Sequence, residues 1–168
     1  MKKLKHLKHI TLGAMCFLLT LQACQNRDAS KQTITNETAG ICLADTIIYP
    51  VLIKNTNPND TWTEQCLSQL QRSQLVDELF EAVYERKAKA YNYDTHTELS
   101  VSEVRAIEEQ EDFSREKVGK LQFWETWYFD DQQVRMTKKV QAILLAYEFL
   151  SDTGELRGYK AAFYVKMN

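Results

Sequence analysis

Residues 120–134 read KLQFWETWYFDDQQV, and no other stretch narrows the choice of fold as much. Phe123, Trp124, Trp127, Tyr128 and Phe129 crowd together there, and aromatic side chains suit a pleated, half-buried surface. Alternation at a period of two puts Leu121, Phe123, Trp127 and Phe129 on one face of a strand and Trp124 and Tyr128 on the other. The first set is expected in the core. Two readings stand for Trp124 and Tyr128: partial burial under a helix or loop, or an exposed pair that makes them the candidate partner-binding residues, because flat rings bury large area at small entropic cost and are enriched in binding hot spots. Asp130-Asp131-Gln132-Gln133 reads as a turn, Val134 to Phe149 as a long partner strand, SDTGELRG as the next turn and Tyr159 to Val165 as a third strand. Connections this short make the three strands an antiparallel meander.

Upstream, ICLADTIIYPVLI is rich in β-branched residues and suits a strand, and Pro50, which has no amide to donate, confines it to an edge or bulged position. NTNPND, residues 55–60, is a turn cluster. Between Thr63 and Lys87, Leu67, Leu70, Leu75, Leu79, Phe80, Val83 and Tyr84 recur at helical steps. A break near Arg72-Ser73 is expected to split this helix, with Ser73 able to cap the second part. Ala90-Tyr91-Asn92-Tyr93-Asp94 suits a short strand or turn. Ser100-Val101-Ser102-Glu103 then fits a capping box, opening a helix to about Gln110 with Val101, Val104 and Ile107 on its buried side. Helices laid over the apolar face of the meander give an α+β domain: a C-terminal three-stranded antiparallel β-meander, two or three helices and an N-terminal edge strand.

The chain has 168 residues, enough for one domain with its own core. Its formal charge of −2 conceals an asymmetry: removing Lys2, Lys3, Lys5 and Lys8 from the 21 basic residues leaves 17 against 23 acidic, a net of −6. A remainder of that sign lacks the basic patch that draws phosphate backbones, so nucleic acid is not an expected partner. Those lysines precede an apolar run, Ile10 to Leu21, that is shorter than the roughly 20 residues a membrane span needs and reads as a secretory signal. Leu21-Gln22-Ala23-Cys24 resembles a bacterial lipobox, which makes Cys24 the expected lipidation site. Gln25 stands where an inner-membrane retention signal would have Asp, so an outer-membrane anchor is expected. The expected organisation is a signal peptide over 1–23, the lipidated Cys24 with a polar tether over 24–40, and a single domain over 41–168. Cys42 and Cys66 are then the only thiols of the mature domain, and two readings stand for them: a disulfide formed in an oxidising envelope, or separate buried thiols.

Motifs for chemistry are sparse. The chain has no HExxH, GxSxG, GxxxxGK[ST] or GxGxxG, and two cysteines with His96 fall short of a closed zinc set. No metal or other cofactor is expected. Asp152-Thr153-Gly154 spells the aspartic-protease triplet, but a shared-proton dyad needs two such aspartates and the triplet occurs once, in a stretch that reads as a hairpin loop. His96 reads as a solvated loop residue, and Asp130 and Asp131 as turn formers.

The run Trp124-Glu125-Thr126-Trp127-Tyr128-Phe129-Asp130-Asp131-Gln132-Gln133, a strand with Met136 and Ile143, Gly154-Glu155-Leu156-Arg157-Gly158-Tyr159 and Phe163-Tyr164-Val165 together resemble the C-terminal half of the GldN/PorN family, in a shortened or divergent form. Leu79-Phe80-Glu81-Ala82-Val83 and Ala90-Tyr91-Asn92-Tyr93-Asp94 resemble that family's preceding helix and its continuation. The resemblance covers roughly residues 73–167. It implies a non-enzymatic scaffold or binding component of gliding motility and type IX secretion, or of a paralogous envelope assembly, with envelope proteins as partners: a ring-forming lipoprotein and a periplasmic motor component. A lipoprotein hydrolase acting through Asp152 is the alternative from a different class.

Overall fold

The computed structural model describes residues 40–167; the signal sequence, Cys24 and nearly all of the tether lie outside the described residues. Strand β1 (Ile41–Leu52) leads to helices α1 (Thr61–Leu67) and α2 (Arg72–Tyr84), then to the two-residue strands β2 (Ala90–Tyr91) and β3 (Glu98–Leu99). Helix α3 (Val101–Glu108) and a 3-10 turn (Arg115–Lys117) precede the long strands β4 (Val118–Asp130), β5 (Arg135–Leu150) and β6 (Leu156–Lys166). The strands form one six-stranded antiparallel sheet in the order β1-β4-β5-β6-β2-β3. The expected meander is thus the centre of a larger sheet. The β1 strand extends one rim, and Ala90 and Tyr91 extend the other by pairing with Val165 and Tyr164.

Pro50 sits in β1 without breaking its ladder. The amide of Ile53 donates to the Gly119 carbonyl at 2.9 Å, so alternation turns the amides of Tyr49 and Val51 toward β4 and the position of Pro50 outward. The missing donor falls on the free rim.

Helices α2 and α3 bury their apolar sides on one face of the sheet. Val76, Leu79, Phe80 and Val83 recur at three- and four-residue steps and, with Val104 of α3, pack against Leu121, Ile143, Leu145, Phe163 and Val165. Phe80 is fully buried and meets Phe163 edge-on at 5.0 Å between ring centroids. The apolar stripe expected from Thr63 breaks earlier than Ser73. Helix α1 is capped by Asp60, whose carboxylate accepts from the Thr63 amide at 3.0 Å, and it buries no residue; Leu70, expected on the stripe, lies exposed beyond its end. Gln71 occupies the N-cap position of α2 and makes no side-chain cap, so Ser73 falls inside the first turn and does not cap it. Arg72 anchors this end instead, its guanidinium donating to the carbonyls of Glu116 and Val118 at 3.3 Å. The capping box of α3 forms in full: the Ser100 hydroxyl accepts from the Glu103 amide at 3.2 Å and the Glu103 carboxylate from the Ser100 amide at 2.7 Å.

Arg115 locks the helices together. Its guanidinium donates to Glu108 at 2.5 Å and Asp77 at 2.9 Å and lies 4.5 Å from the centre of the Phe80 ring, while the Tyr84 hydroxyl donates to Glu108 from the other side. Burial acts to raise the Glu108 carboxyl, but the hydrogen bonds from Arg115 and Tyr84 outweigh it and hold the group below the usual carboxylate range. Burial, reinforced by Glu108, pushes Tyr84 up to about 12.

The core is shorter along β4 than alternation alone suggests. Leu121 is buried and Phe123 is half-buried against the helix-side core, but Trp127 and Phe129 stay half-buried and outside it. The α2 and α3 side chains reach the sheet only beside the first half of β4. Trp127 is held differently: its indole N–H donates to the buried Glu125 at 2.9 Å, and the Lys138 ammonium lies 4.5 Å from its ring centre. Burial, with Glu125 close by, raises the Tyr49 hydroxyl beside this group.

Candidate docking face

The second face of the sheet carries its own apolar cluster. Ala142, Leu144 and Tyr164 are buried there, with Tyr91 and Trp124 packed against them. Among the described residues, no helix buries a side chain against this face; the buried residues of α2 and α3 all belong to the opposite core. Registration places Ile48, Trp124, Ala142 and Lys166 in one row across β1, β4, β5 and β6. The next row holds Gln122, Leu144, Tyr164 and Tyr91.

Trp124 meets Tyr164 at 5.3 Å between ring centroids, and Tyr164 stacks on Tyr91 at 5.2 Å with the planes 19° apart. Across β5 the small Ala142 leaves a notch between larger neighbours, and a cavity of about 230 Å³ opens there, lined by His96, Trp124, Gln141, Ala142, Tyr164 and Lys166. Two local irregularities shape it. A bulge in β5 sets one additional residue, Gln141, against the Trp124–Glu125 step of β4, so that the Gln141 amide donates to the Thr126 hydroxyl. His96, in the loop between β2 and β3, adopts a left-handed φ of 57°, which brings its ring edge-on to Tyr164 at 6.0 Å. The Lys166 ammonium caps the Tyr91 ring at 4.4 Å.

Both aromatic residues singled out from the sequence are half-buried; Trp124 lies on this face, and Tyr128 shares its alternation four residues along β4, opposite Cys42 and Thr137. Sequence reasoning missed Tyr91, Gln141, Tyr164 and Lys166 and read His96 as a solvated loop residue. For Tyr164 a signal existed, since it alternates with the core residues Phe163 and Val165. Nothing local announces the others, which reach the cavity only through strand order.

The remaining candidates lie elsewhere. Cys42 on β1 and Cys66 on α1 are both free and both exposed, so neither a disulfide nor a pair of buried thiols describes them. The physical reason is the strand between them, which carries the chain on the order of 30 Å from Cys42 before it turns into α1. Asp152 is exposed in the β5–β6 turn, where the Gly154 amide donates to the Ser151 carbonyl at 2.9 Å and Gly154 takes a positive φ of 82°. Asp130 accepts from the amides of Gln132 and Gln133 at 3.0 and 3.1 Å, the bonding of a turn former. Among the described residues no cluster of three His, Cys, Asp or Glu is placed to hold a metal ion, and no helix is long and apolar enough to cross a membrane.

A family model described as gliding motility associated protein GldN matches residues 48–168, from the first residue of the Trp124 row onward. The chain belongs to the GldN family. No curated protein matches it. Membership makes this GldN protein a component of gliding motility and type IX secretion, in association with the cell envelope and its secretion proteins. The family is one of secretion-machinery components and not a known enzyme family.

Proposed function

We propose that this GldN protein is a non-enzymatic scaffold subunit of the type IX secretion apparatus, tethered to the outer membrane through lipid on Cys24 and docking partners through the sheet face around Trp124 and Tyr128. The family match over residues 48–168 carries this reading. The open aromatic face supports it, because an apolar cluster left without a helix above it on one side of a sheet is what a partner covers. The partners proposed are a ring-forming lipoprotein and a periplasmic motor component, and the organisation is a signal over 1–23, a lipid tether over 24–40 and one domain over 41–168.

Tagged protein purified from detergent-solubilised envelopes is expected to bring secretion components with it. The double variant Trp124→Ala, Tyr128→Ala should retain at most a tenth as much, and recovery of unrelated proteins alone would refute the reading. Labelling with a fatty-acid analogue is expected to mark the wild type and not Cys24→Ser; equal labelling of the two removes the anchor.

A further inference from the structure

We infer that the cavity beside Trp124 receives an acidic peptide segment of a protein partner, with an apolar side chain seated over Ala142 and a neighbouring carboxylate held by Lys166. The inference deepens the docking reading above and rests on it for the place of the site.

Size argues first. At about 230 Å³ the cavity is below the roughly 300–1,000 Å³ of small-molecule and cofactor pockets, so it suits one inserted side chain better than a metabolite. Trp124 and Tyr164, whose rings meet at 5.3 Å between centroids, together form its aromatic wall and Ala142 its floor, while His96, Gln141 and Lys166 supply the polar part of the lining; an aromatic wall over a small floor is the environment of a hot-spot pocket that takes an anchor residue.

Charge then selects the neighbour of that anchor. No carboxylate lines the cavity, and among the described residues Lys166 joins no ion pair: its ammonium rests on the Tyr91 ring, placed but not neutralised. Lys139 adds to this. Lys138 turns to the Trp127 and Tyr49 rings on the helix-bearing side of the sheet, so alternation stands Lys139 on the open side, opposite Thr126 and equally without an ion pair among the described residues. A chain of net negative charge therefore keeps two unneutralised lysines beside its apolar notch. Arginine and lysine that are not needed for internal pairs and flank a pocket give electrostatic complementarity to an anionic partner. A basic or neutral segment would leave both ammonium groups desolvated without compensation.

The test uses the full chain and two blocked hexapeptides, one alternating Asp and Phe and one alternating Lys and Phe, with binding followed by fluorescence anisotropy at low ionic strength. The Asp–Phe peptide is expected to bind at least tenfold more tightly than the Lys–Phe peptide and to weaken as salt is added. Lys166→Glu, which removes the cation, and Ala142→Leu, which fills the notch, should each weaken it about tenfold or more, in protein shown by circular dichroism to keep its fold. Equal affinity for the two peptides, no binding of the Asp–Phe peptide, or an affinity unchanged in Lys166→Glu would overturn the inference. So would binding to phosphatidylglycerol vesicles in place of the peptide, which would make the face a lipid surface. The assay contains no secretion component, so its failure leaves the assembly reading standing, and failure of the envelope purification leaves the peptide result intact.

Discussion

Val134 illustrates how much a single backbone angle can cost. It closes the β4–β5 turn at a φ of +49° with its side chain 79% exposed, a conformation that β-branched residues disfavour and that no packing compensates. Val134→Gly is expected to raise stability by about 1 kcal/mol, read as a higher urea midpoint at unchanged slope. The rest of the turn was legible from residue type alone. Asp130 followed by amide side chains announces a loop, and the carboxylate does accept the two amides that define it. The strained angle was not legible, because the requirement is set by where β5 must begin to register with β4, at Arg135 opposite Asp130. Trp124 divides in the same way. Alternation along β4 identified its face, but its neighbours Tyr164, Tyr91 and Lys166 come from strands far along the chain and could be placed only once the strand order was known.

Among the elements, those governed by neighbours in sequence were read best. Helix α3 is specified by four residues, Ser100 to Glu103, and forms where they put it. Ser100→Ala should lower the unfolding free energy by about 1 kcal/mol in denaturant titration, because the Glu103 amide loses the hydroxyl that accepts from it while the bond from the residue 100 amide to the Glu103 carboxylate remains. Strand β2 was legible only as a short strand or turn and β3 escaped notice, because two residues have no period to detect; their pairing follows from the hairpin between them and the unpaired edge that β6 offers at Tyr164 and Val165. Helix α1 misled for the opposite reason. Its leucines extend the spacing of α2, yet the chain turns at Ser68–Gln71 and carries that spacing away from the core.

For the molecule as a whole, the Arg115 group predicts a stability plateau with two edges. Glu108 is held below its unfolded range, so its contribution is complete above about pH 4.5 and is lost as pH falls through the lower folded value. Tyr84 is raised to about 12, so its contribution is complete below about pH 10 and is lost as pH rises through 12. Thermal midpoints across pH should show both edges, and Tyr84→Phe should remove the loss contributed by that hydroxyl on the alkaline side and shrink the acid edge without abolishing it, since Arg115 still holds Glu108. The same sheet has a further property set at its rims. One rim is interrupted by Pro50, which offers neighbouring chains no donor near the end of β1, and the other ends in a strand only two residues long. Copies brought close together therefore find little purchase for zipping edge to edge into fibres, and a body that resists such runaway polymerisation can be held at high local density and still remain a discrete building block.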